Sequence, residues 1–288
     1  MVDKPAGMTS HDVVSRLRRI YGEKRIGHAG TLDPGATGLL VLAVGNVTRL
    51  LDLFQGKTKK YSADVVFGIE TDSYDSDGTV VSRSDVANID TVRLGESIRA
   101  MTGEISQMPP VVSAIKVKGK KLYDYHRANI AVEIKPRRVR IDSISYSISS
   151  QANVIQIEVV CGPGTYIRSI AHDLGAALGV GAHLRNLRRL ESGSFAVGEA
   201  VSLEEVTPET TLSPATAFRD FTVVGLNEEQ AARAREGSRV MLPDQENDEL
   251  LAFDAGAGPF LNWDQLIGLY RRDRGDTFRA GIILPVIN

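Results

Sequence analysis

The sequence has little of what marks secreted, membrane-bound or zinc-binding proteins. Its 288 residues include a single cysteine, Cys161, which excludes an intramolecular disulfide and a cysteine-based zinc cluster. The longest apolar stretch, around residues 38–44, is far shorter than the roughly 20 residues that a membrane-spanning helix needs. The first residues lack the basic start and the apolar core of a secretory signal peptide. We therefore expect a cytoplasmic protein that is not bound to a membrane.

The total charge is close to zero, but the charges are unevenly distributed along the chain. The formal net charge is −2. Residues 1–60 carry a net charge of +5 and residues 111–140 carry +7, whereas residues 61–110 carry −6 and residues 191–288 carry −9. Two basic segments in an otherwise acidic chain would suit a surface that binds a polyanion. Ordinary solvated surface charge is the alternative, and charge alone leaves it equally open.

The residue patterns predict a mixed α+β chain. Helices are predicted where apolar residues recur at helical spacing, at 9–20, 47–54, 90–101 and 166–178. Strands are predicted for short apolar or alternating segments, at 39–44, 61–69, 80–81, 139–147, 154–161 and in several pieces after residue 222. The strands fall in hairpin-like pairs without regular alternation with helices, which argues against a doubly wound sheet. A polar stretch around 207–221 marks a boundary, so we assign residues 1–215 to a main domain and 222–288 to a small β-rich domain.

The least ordinary segment is the loop GHAGTLDPGATG at residues 27–38. It encloses Asp33 among four glycines, and Pro34 fixes the φ angle that follows. A carboxylate presented rigidly to a ligand would suit this setting, although a lone loop aspartate is usually a turn or capping residue. A phosphate-binding P-loop competes with this interpretation, but the Gly-Lys-Ser/Thr ending of such loops is missing.

No metal site is predicted from the sequence. The acidic run that contains Asp72, Asp75, Asp77 and Gly78 hints at a calcium-binding EF-hand loop, but Ser84 stands where the bidentate glutamate is required. The histidines show no metal-ligand spacing with acidic residues or with the cysteine.

Five segments of the chain resemble the tRNA pseudouridine-55 synthase family of the TruB type. They are, in order, DKPAGMTSHDVV, GHAGTLDPGATGLLVLAVGNVTRLL, KKYSADVVFGIETDSYDSDG, PPVVSAIKVKGKKLYDYHR and CGPGTYIRSIAHDLGAALGVGAHLRNLRRLESGSF. A single glycine-rich match would be weak, but these five keep their order and spacing over residues 3–195. The resemblance implies an α+β pseudouridine synthase fold, with a mixed, mainly antiparallel central sheet, flanking helices and a small PUA-like C-terminal domain. It also implies an isomerase that converts uridine 55 in the T-loop of tRNA to pseudouridine.

The resemblance implies a catalytic set of three residues. Asp33 matches the family nucleophile, which would attack the flipped uridine at uracil C6 or at ribose C1′. Arg168 would pair with Asp33 and hold it ionised and oriented. Tyr61 would stack on the target base, whereas an isolated strand tyrosine would otherwise be assigned to the core. Since the reaction needs no redox step and no external energy, the resemblance implies no cofactor and no metal.

The resemblance also implies a set of base-binding residues. His28 matches the histidine that fills the space left by the flipped base. Tyr166 and Leu187, together with Tyr61, would hold the uracil. Judged alone, Leu187 would be interpreted as an ordinary core residue.

The lysine-rich insertion at about 108–140 resembles the thumb with which the family closes on the T-arm of tRNA. Its expected contacts to the RNA backbone are Lys116, Lys118, Lys120, Lys121, Arg137 and Arg138. For the acidic C-terminal domain we expect a minor role in RNA binding, and we expect no obligate protein partner.

Two other functions remain open at this point. One is an RNA-binding or RNA-folding module whose catalysis is dispensable. The other is an enzyme of the same fold that acts on a different RNA, such as the guided rRNA enzymes, which need partner proteins and typically longer extensions.

Overall fold

The computed structural model describes residues 1–113, 116–117, 119–122, 125, 128, 130, 132–255 and 262–285. In this part of the chain the helices are α1 (Ser10–Tyr21), α2 (Leu51–Gln55), α3 (Thr91–Ala100), α4 (Ile167–Leu178), α5 (Pro214–Ala217) and α6 (Glu228–Arg235). The strands are β1 (Val2–Lys4), β2 (Ile26–His28), β3 (Thr37–Leu40), β4 (Leu42–Val44), β5 (Lys59–Phe67), β6 (Ile69–Thr71), β7 (Val80–Arg83), β8 (Gly103–Gln107), β9 (Lys116–Val117), β10 (Lys120–Lys121), β11 (Arg137–Ile148), β12 (Val154–Cys161), β13 (Ala182–Ser192), β14 (Phe195–Ala196), β15 (Val201–Ser202), β16 (Val223–Leu226), β17 (Val240–Met241), β18 (Glu249–Asp254), β19 (Leu266–Arg274) and β20 (Thr277–Ile283).

A large mixed sheet forms the centre of the molecule. Its strand order is β15-β1-β3-β13-β5-β12-β11-β8, and β14 pairs with β13. The pairs β1–β15 and β3–β13 are parallel, and the other pairs in this sheet are antiparallel. This arrangement confirms the predicted α+β class with a mixed, mainly antiparallel central sheet.

One face of the central sheet carries the main hydrophobic core. Alternate residues of β5 and β12 point to this face, and Val65 and Ile157 are buried there. Helix α4 covers them with Ile170 and Leu174, which lie one turn apart on the same helix face. The helix ends at Gly179, which adopts the left-handed conformation that glycine tolerates best. Both α4 and these two strands were predicted from the sequence.

Helix α1 begins where the sequence predicted it. Thr9 caps the helix, since its hydroxyl accepts a hydrogen bond from the Asp12 amide while the Asp12 carboxylate accepts one from the Thr9 amide. Val13 and Leu17 bury one face of the helix in a second hydrophobic cluster, which includes Leu40 of β3.

The apolar run at 39–44, predicted as one strand, divides into two strands of different sheets. Residues up to Leu40 belong to β3 in the central sheet, whereas Leu42–Val44 pair with β2. The division falls at Val41, whose carbonyl oxygen accepts a hydrogen bond from the amide of Ala29. The predicted loop at 27–38 is correspondingly shorter, because β2 and β3 take its two ends.

Several elements of the structure, among them β8, β13 and α6, were not predicted. Strand β13 lies at the centre of the sheet, between β3 and β5, and helix α6 packs against the C-terminal strands. The insertion predicted at about 108–140 overlaps the start of β11, which begins at Arg137 and pairs there with β8, and its limits stay a prediction.

The C-terminal residues form a separate five-stranded sheet of order β16-β18-β19-β20-β17, which confirms the predicted β-rich unit. Leu251 and Phe253 from this sheet pack in one cluster with Leu50 and Phe218. Trp263 stacks edge-on against Phe218, with their ring centroids 5.7 Å apart. The domain limits at 215 and 222 stay a prediction.

None of the helices in the described part of the chain is long and apolar enough to cross a lipid bilayer.

Candidate active site

The loop that carries Asp33 is tied to its surroundings on both sides of this residue. The buried hydroxyl of Ser10 accepts a hydrogen bond from the Leu32 amide (2.8 Å) and donates one to the Leu32 carbonyl oxygen (3.1 Å). The Pro34 carbonyl oxygen accepts one from the Gly7 amide (2.9 Å). The Asp33 side chain nevertheless keeps 40% of its surface exposed. The loop therefore presents a carboxylate that is fixed in place and still accessible.

Arg168 fixes the direction of that carboxylate. It lies in the first turn of α4 and is almost fully buried. Its Nε lies 3.0 Å from Asp33 Oδ2. Its two terminal nitrogens donate to the carbonyl oxygens of Ser73 (3.0 Å) and Val112 (3.1 Å). Because all three nitrogens are engaged in fixed directions, the guanidinium holds Asp33 in one orientation.

The acidic turn at residues 72–78 borders this ion pair. Besides the Ser73 carbonyl oxygen, it brings Asp75 close to Arg168 and Asp33. Burial raises the pKa of Asp75, and the positive charge of Arg168 opposes that shift. From the sequence, Asp75 was considered as a calcium ligand and rejected, and no role beside the ion pair was assigned to it. The acidic run was the signal for it, but its spatial partner is distant in the chain.

Tyr61 lies at the start of β5 and packs against the main core. It pairs in register with Val159 of β12 and with Arg189 of β13. Burial raises the pKa of Tyr61, and the charge of Arg189, which also hydrogen-bonds with this side chain, opposes the shift. The phenol therefore stays protonated at neutral pH, close to Asp33.

Arg189 is a further residue of the site that the sequence did not indicate. Its side chain is buried, with 2% of the residue exposed. Its Nε donates to the carbonyl oxygen of Leu39 (2.7 Å) and one terminal nitrogen donates to that of Gly30 (3.1 Å). These two contacts lie on either side of the Asp33 loop. Gly38 allows β3 to lie close to β13, because a Cβ at this position would lie 2.3 Å from the Arg189 carbonyl oxygen.

Lys4 adds a further buried cation beneath the loop. Its Nζ donates to the carbonyl oxygens of Pro5 (2.8 Å), Met8 (2.6 Å) and Pro34 (3.3 Å). Burial lowers the pKa of Lys4 to about 8, and the negative charge of Asp33 opposes that shift. No local sequence pattern indicates that this lysine is buried.

The predicted base-binding residues surround the same region. Tyr166 precedes α4, and its main-chain amide and carbonyl groups are both hydrogen-bonded to Gln107 (2.8 and 2.9 Å). Burial raises the pKa of Tyr166, and Asp33 and Arg168 are among the charges that act on it. The structure thus brings Asp33, Arg168, Tyr61 and Tyr166 together.

His28 and Leu187 lie at the border of this group. His28 ends β2, and its Nδ1 accepts a hydrogen bond from the Gly30 amide (3.4 Å). Burial lowers the pKa of His28, and the positive charge of Arg189 lowers it further. Leu187 is partly buried and packs against the same cluster as Tyr61.

Part of the predicted RNA-contacting set lies outside the described residues. This holds for Lys118 and for the side chains of Lys116, Lys120 and Lys121, whose backbones belong to the β9–β10 hairpin. Arg137 and Arg138 are exposed at the start of β11, opposite Gln107 and Ser106.

The chemistry of this arrangement is suited to nucleophilic catalysis by a carboxylate. An accessible carboxylate is oriented by a buried guanidinium, and a protonated phenol and further buried cations lie nearby. A carboxylate is a competent covalent nucleophile that can later leave again. Within the described residues, no group of three His, Cys, Asp or Glu side chains is placed to hold a metal ion.

Two models of known protein families match this chain. Residues 18–167 match the N-terminal domain of the TruB family pseudouridylate synthases, and residues 168–217 match the C-terminal domain of tRNA pseudouridylate synthase B. The chain belongs to the TruB family. It is therefore an isomerase of the pseudouridylate synthase class, as the sequence predicted.

Two curated relatives support this membership over most of the chain. The tRNA pseudouridine synthase B of Syntrophotalea carbinolica is 46% identical over 228 residues, which span 77% of this chain and 74% of the relative. The tRNA pseudouridine synthase B of Gloeobacter violaceus is 45% identical over 248 residues, which span 83% of this chain and 85% of the relative.

Solved structures confirm the fold of this TruB family member. A Cbf5–Nop10–Gar1 complex contains a chain that matches with a TM-score of 0.68 and 23% identity, covering 100% of this chain and 83% of that one. An H/ACA ribonucleoprotein bound to a substrate RNA with 2′-deoxyuridine gives a TM-score of 0.68 at 20% identity, covering 99% and 84%.

Proposed function

We propose that this chain converts uridine 55 in the T-loop of tRNA to pseudouridine. The observation that carries the proposal is the contact between Asp33 and Arg168, which presents an oriented, accessible carboxylate inside a TruB-family fold. The curated relatives, named tRNA pseudouridine synthase B, support tRNA as the substrate. The proposal includes the cytoplasm as the site of action and requires no cofactor.

In the proposed reaction, Asp33 forms a covalent bond with the target uridine, at uracil C6 or at ribose C1′. The bond between C1′ and N1 breaks, the detached uracil turns, and a new bond forms between C1′ and C5. C5 loses its proton and N1 gains one. After attack at C1′, the bond to Asp33 breaks as the bond between C1′ and C5 forms; after attack at C6, it breaks last. Both routes release the carboxylate. Atoms and electrons balance within the nucleotide, so the reaction is an isomerisation. Arg168 keeps the carboxylate aligned throughout.

The surrounding side chains would hold a base that has left the RNA stack. An enzyme that flips a base has to replace the stacking it disrupts, and Tyr61, which lies near Asp33, would supply that stacking. Tyr166 and Leu187 would form further walls of the uracil site, and His28 would occupy the place of the flipped base. The basic segment at 111–140 supports binding of the RNA backbone.

The test uses an unmodified tRNA transcript that carries tritium at C5 of its uridines. We expect the purified chain to release tritium without any added cofactor, and the new pseudouridine to map to position 55. The variant Asp33→Asn should bind tRNA with unchanged affinity and release no tritium, because an amide is not a carboxylate nucleophile. Asp52→Asn, at an exposed position of α2, is the matched control and should behave like the wild type.

Each departure from this result has its own meaning. Release from the Asp33→Asn variant would remove Asp33 from the nucleophile role. Release that maps to another uridine would point to a different RNA target. Intact tRNA binding without release by the wild type would favour an RNA-binding module and contradict the proposed function.

A further inference from the structure

Strand β13 has one residue more than the segment of β5 that it faces. Leu184 pairs with Val65, and Arg189 pairs with Tyr61. Leu184 and Arg189 are thus five positions apart along β13, whereas their partners are only four positions apart along β5. The additional residue forms a β-bulge between Arg185 and Arg188.

The bulge decides which side chains reach the Asp33 site. Side chains alternate between the two faces of a strand, so without the additional residue Leu187 and Arg189 would point to the face opposite Leu184. In the structure Leu187 packs against the same core cluster as Leu184 and Tyr61, and Arg189 pairs directly with Tyr61. Arg188 points to the other face, where it forms an ion pair with Asp3 (2.7 Å).

The bulge is fixed by a contact between two side chains. Asn186, at the bulge, has a φ of +56°, a left-handed conformation that asparagine adopts more readily than most residues. Its Nδ2 donates to Asp64 Oδ2 (2.8 Å), and a terminal nitrogen of Arg185 donates to the same oxygen (3.3 Å). The Asp64 side chain is only 15% exposed, so its direction is defined by these contacts.

We propose that Asp64 and Asn186 are positioning residues of this enzyme, and that their contact holds the bulge which places Leu187 and Arg189 in the active site. Neither residue needs to touch the substrate. They act through Arg189, whose hydrogen bonds to the carbonyl oxygens of Gly30 and Leu39 bracket the loop that carries Asp33. The inference rests on the proposed function, because its consequence is the rate at which bound uridine is converted.

The test exchanges the two side chains. Asn186→Asp places a carboxylate against that of Asp64 and breaks the contact, while an aspartate still tolerates the left-handed conformation. The double variant Asp64→Asn/Asn186→Asp restores a carboxylate–amide pair with the partners reversed. Displacement of catalytic groups by about 1 Å can cost about a hundredfold in rate. We therefore expect the single variant to lose at least about tenfold in single-turnover rate, with an unchanged Kd for tRNA, and the double variant to recover most of it.

Three further variants complete the design. Gln151→Ala removes the other side-chain acceptor of Arg185 and leaves the bulge contact intact, so we expect wild-type turnover. Should Asn186→Asp fail to fold, the pair Asn186→Gly and Asn186→Ala takes its place. Glycine accepts the left-handed conformation and alanine is strained by it, so the glycine variant should turn over faster than the alanine variant.

The outcomes separate this inference from the proposed function. An active wild type together with a folded, fully active Asn186→Asp variant would overturn the inference alone, as would a loss that appears only in tRNA affinity. A double variant that is no faster than the single one would overturn the reciprocal contact. A wild type without turnover would overturn the proposed function, and the inference would fall with it.

Discussion

Lys4 donates hydrogen bonds to three main-chain carbonyl oxygens beneath the Asp33 loop, and its side chain is fully buried. A second lysine, Lys59, is buried at the start of β5 and donates to the Lys57 carbonyl oxygen (2.6 Å). Burial lowers the pKa of both lysines to about 8. In the unfolded chain a lysine has a pKa of about 10.4, so the folded chain holds these two protons less tightly than the unfolded chain.

This difference predicts a pH dependence of stability. Between pH 8 and 9 the unfolded chain binds more protons at these lysines, so each lysine makes the free energy of unfolding rise with pH, by up to about 1.4 kcal/mol per pH unit. We expect Lys4→Met to remove one of the two contributions. Urea denaturation at pH 8.0, 8.5 and 9.0 measures it. Lys24→Met, at an exposed position, is the control and should keep the wild-type pH dependence.

The wild type and both lysine variants share one group, Cys161, whose effect on the pH dependence of stability is opposite to that of the lysines. Burial raises the pKa of the Cys161 thiol to about 11, so this cysteine makes the free energy of unfolding fall as the pH rises through the range where a free thiol ionises. The difference between wild type and Lys4→Met isolates the lysine. Equal pH dependence in these two proteins would contradict the assignment of a depressed pKa to Lys4.

At the residue scale, the sequence indicated the site only where a motif carried the information. The contact between Asp33 and Arg168 was expected from resemblance and is present, although 135 positions separate the two residues. Arg189 and Lys4 were missed, because a lone basic residue is usually a solvated one. The carbonyl oxygens that bind Arg189, and one of the three that bind Lys4, come from distant segments, and no local pattern reveals such partners.

At the scale of elements, two adjacent hydroxyl groups at the N-terminus of α1 make different contacts. Thr9 caps the helix at an exposed position. Ser10, which is buried, points the other way and holds both main-chain groups of Leu32 in the Asp33 loop. The two residues thus offer a matched pair of hydroxyl deletions in one helix.

We expect Ser10→Ala and Thr9→Ala to differ in their effect on turnover. Ser10→Ala leaves buried amide and carbonyl groups of Leu32 unpaired, which costs about 1–3 kcal/mol of stability and loosens the loop, so single-turnover rates should fall several-fold. Thr9→Ala should cost about 1 kcal/mol of stability with unchanged turnover. Urea denaturation and tritium release measure the two quantities. Equal turnover in both variants would show that the Ser10 contact does not position Asp33.

Helices and strands were predictable where the apolar residues of a segment recur at a single spacing along its whole length. The capped, amphipathic α1 and the alternating strands β5 and β12 are of this kind, and the structure confirms them. Strand β13 was missed because its bulges at Asn186 and after Arg189 break the alternation, and because a buried arginine, Arg189, occupies a position where a central strand normally has an apolar residue. The irregularities that hide the strand also bring Leu187 and Arg189 to the site.

At the scale of the whole molecule, the C-terminal part of the chain is acidic, and its sheet makes apolar contacts with residues that lie outside the strands of the central sheet. Residues from 191 onward carry a net charge of −9. Leu251 and Phe253 of the C-terminal sheet pack against Leu50 and Phe218, and the Arg49 side chain donates to the Ile283 carbonyl oxygen (2.7 Å). The β-rich character of this unit was predictable from its short strands, but its apolar contact surface was not, because the partner residues come from distant segments.

This distribution of charge predicts where salt acts on tRNA binding. If the start of β11 contacts the RNA backbone, the double variant Arg137→Gln/Arg138→Gln should bind tRNA more weakly, with a salt dependence of log Kd reduced by up to about 0.9 for each phosphate that is no longer neutralised. Arg274→Gln/Arg279→Gln removes the same charge from exposed positions of the C-terminal sheet and should leave that salt dependence unchanged. Equal changes in both double variants would extend the RNA-binding surface to the C-terminal sheet, whereas no change in the first would exclude β11 from it.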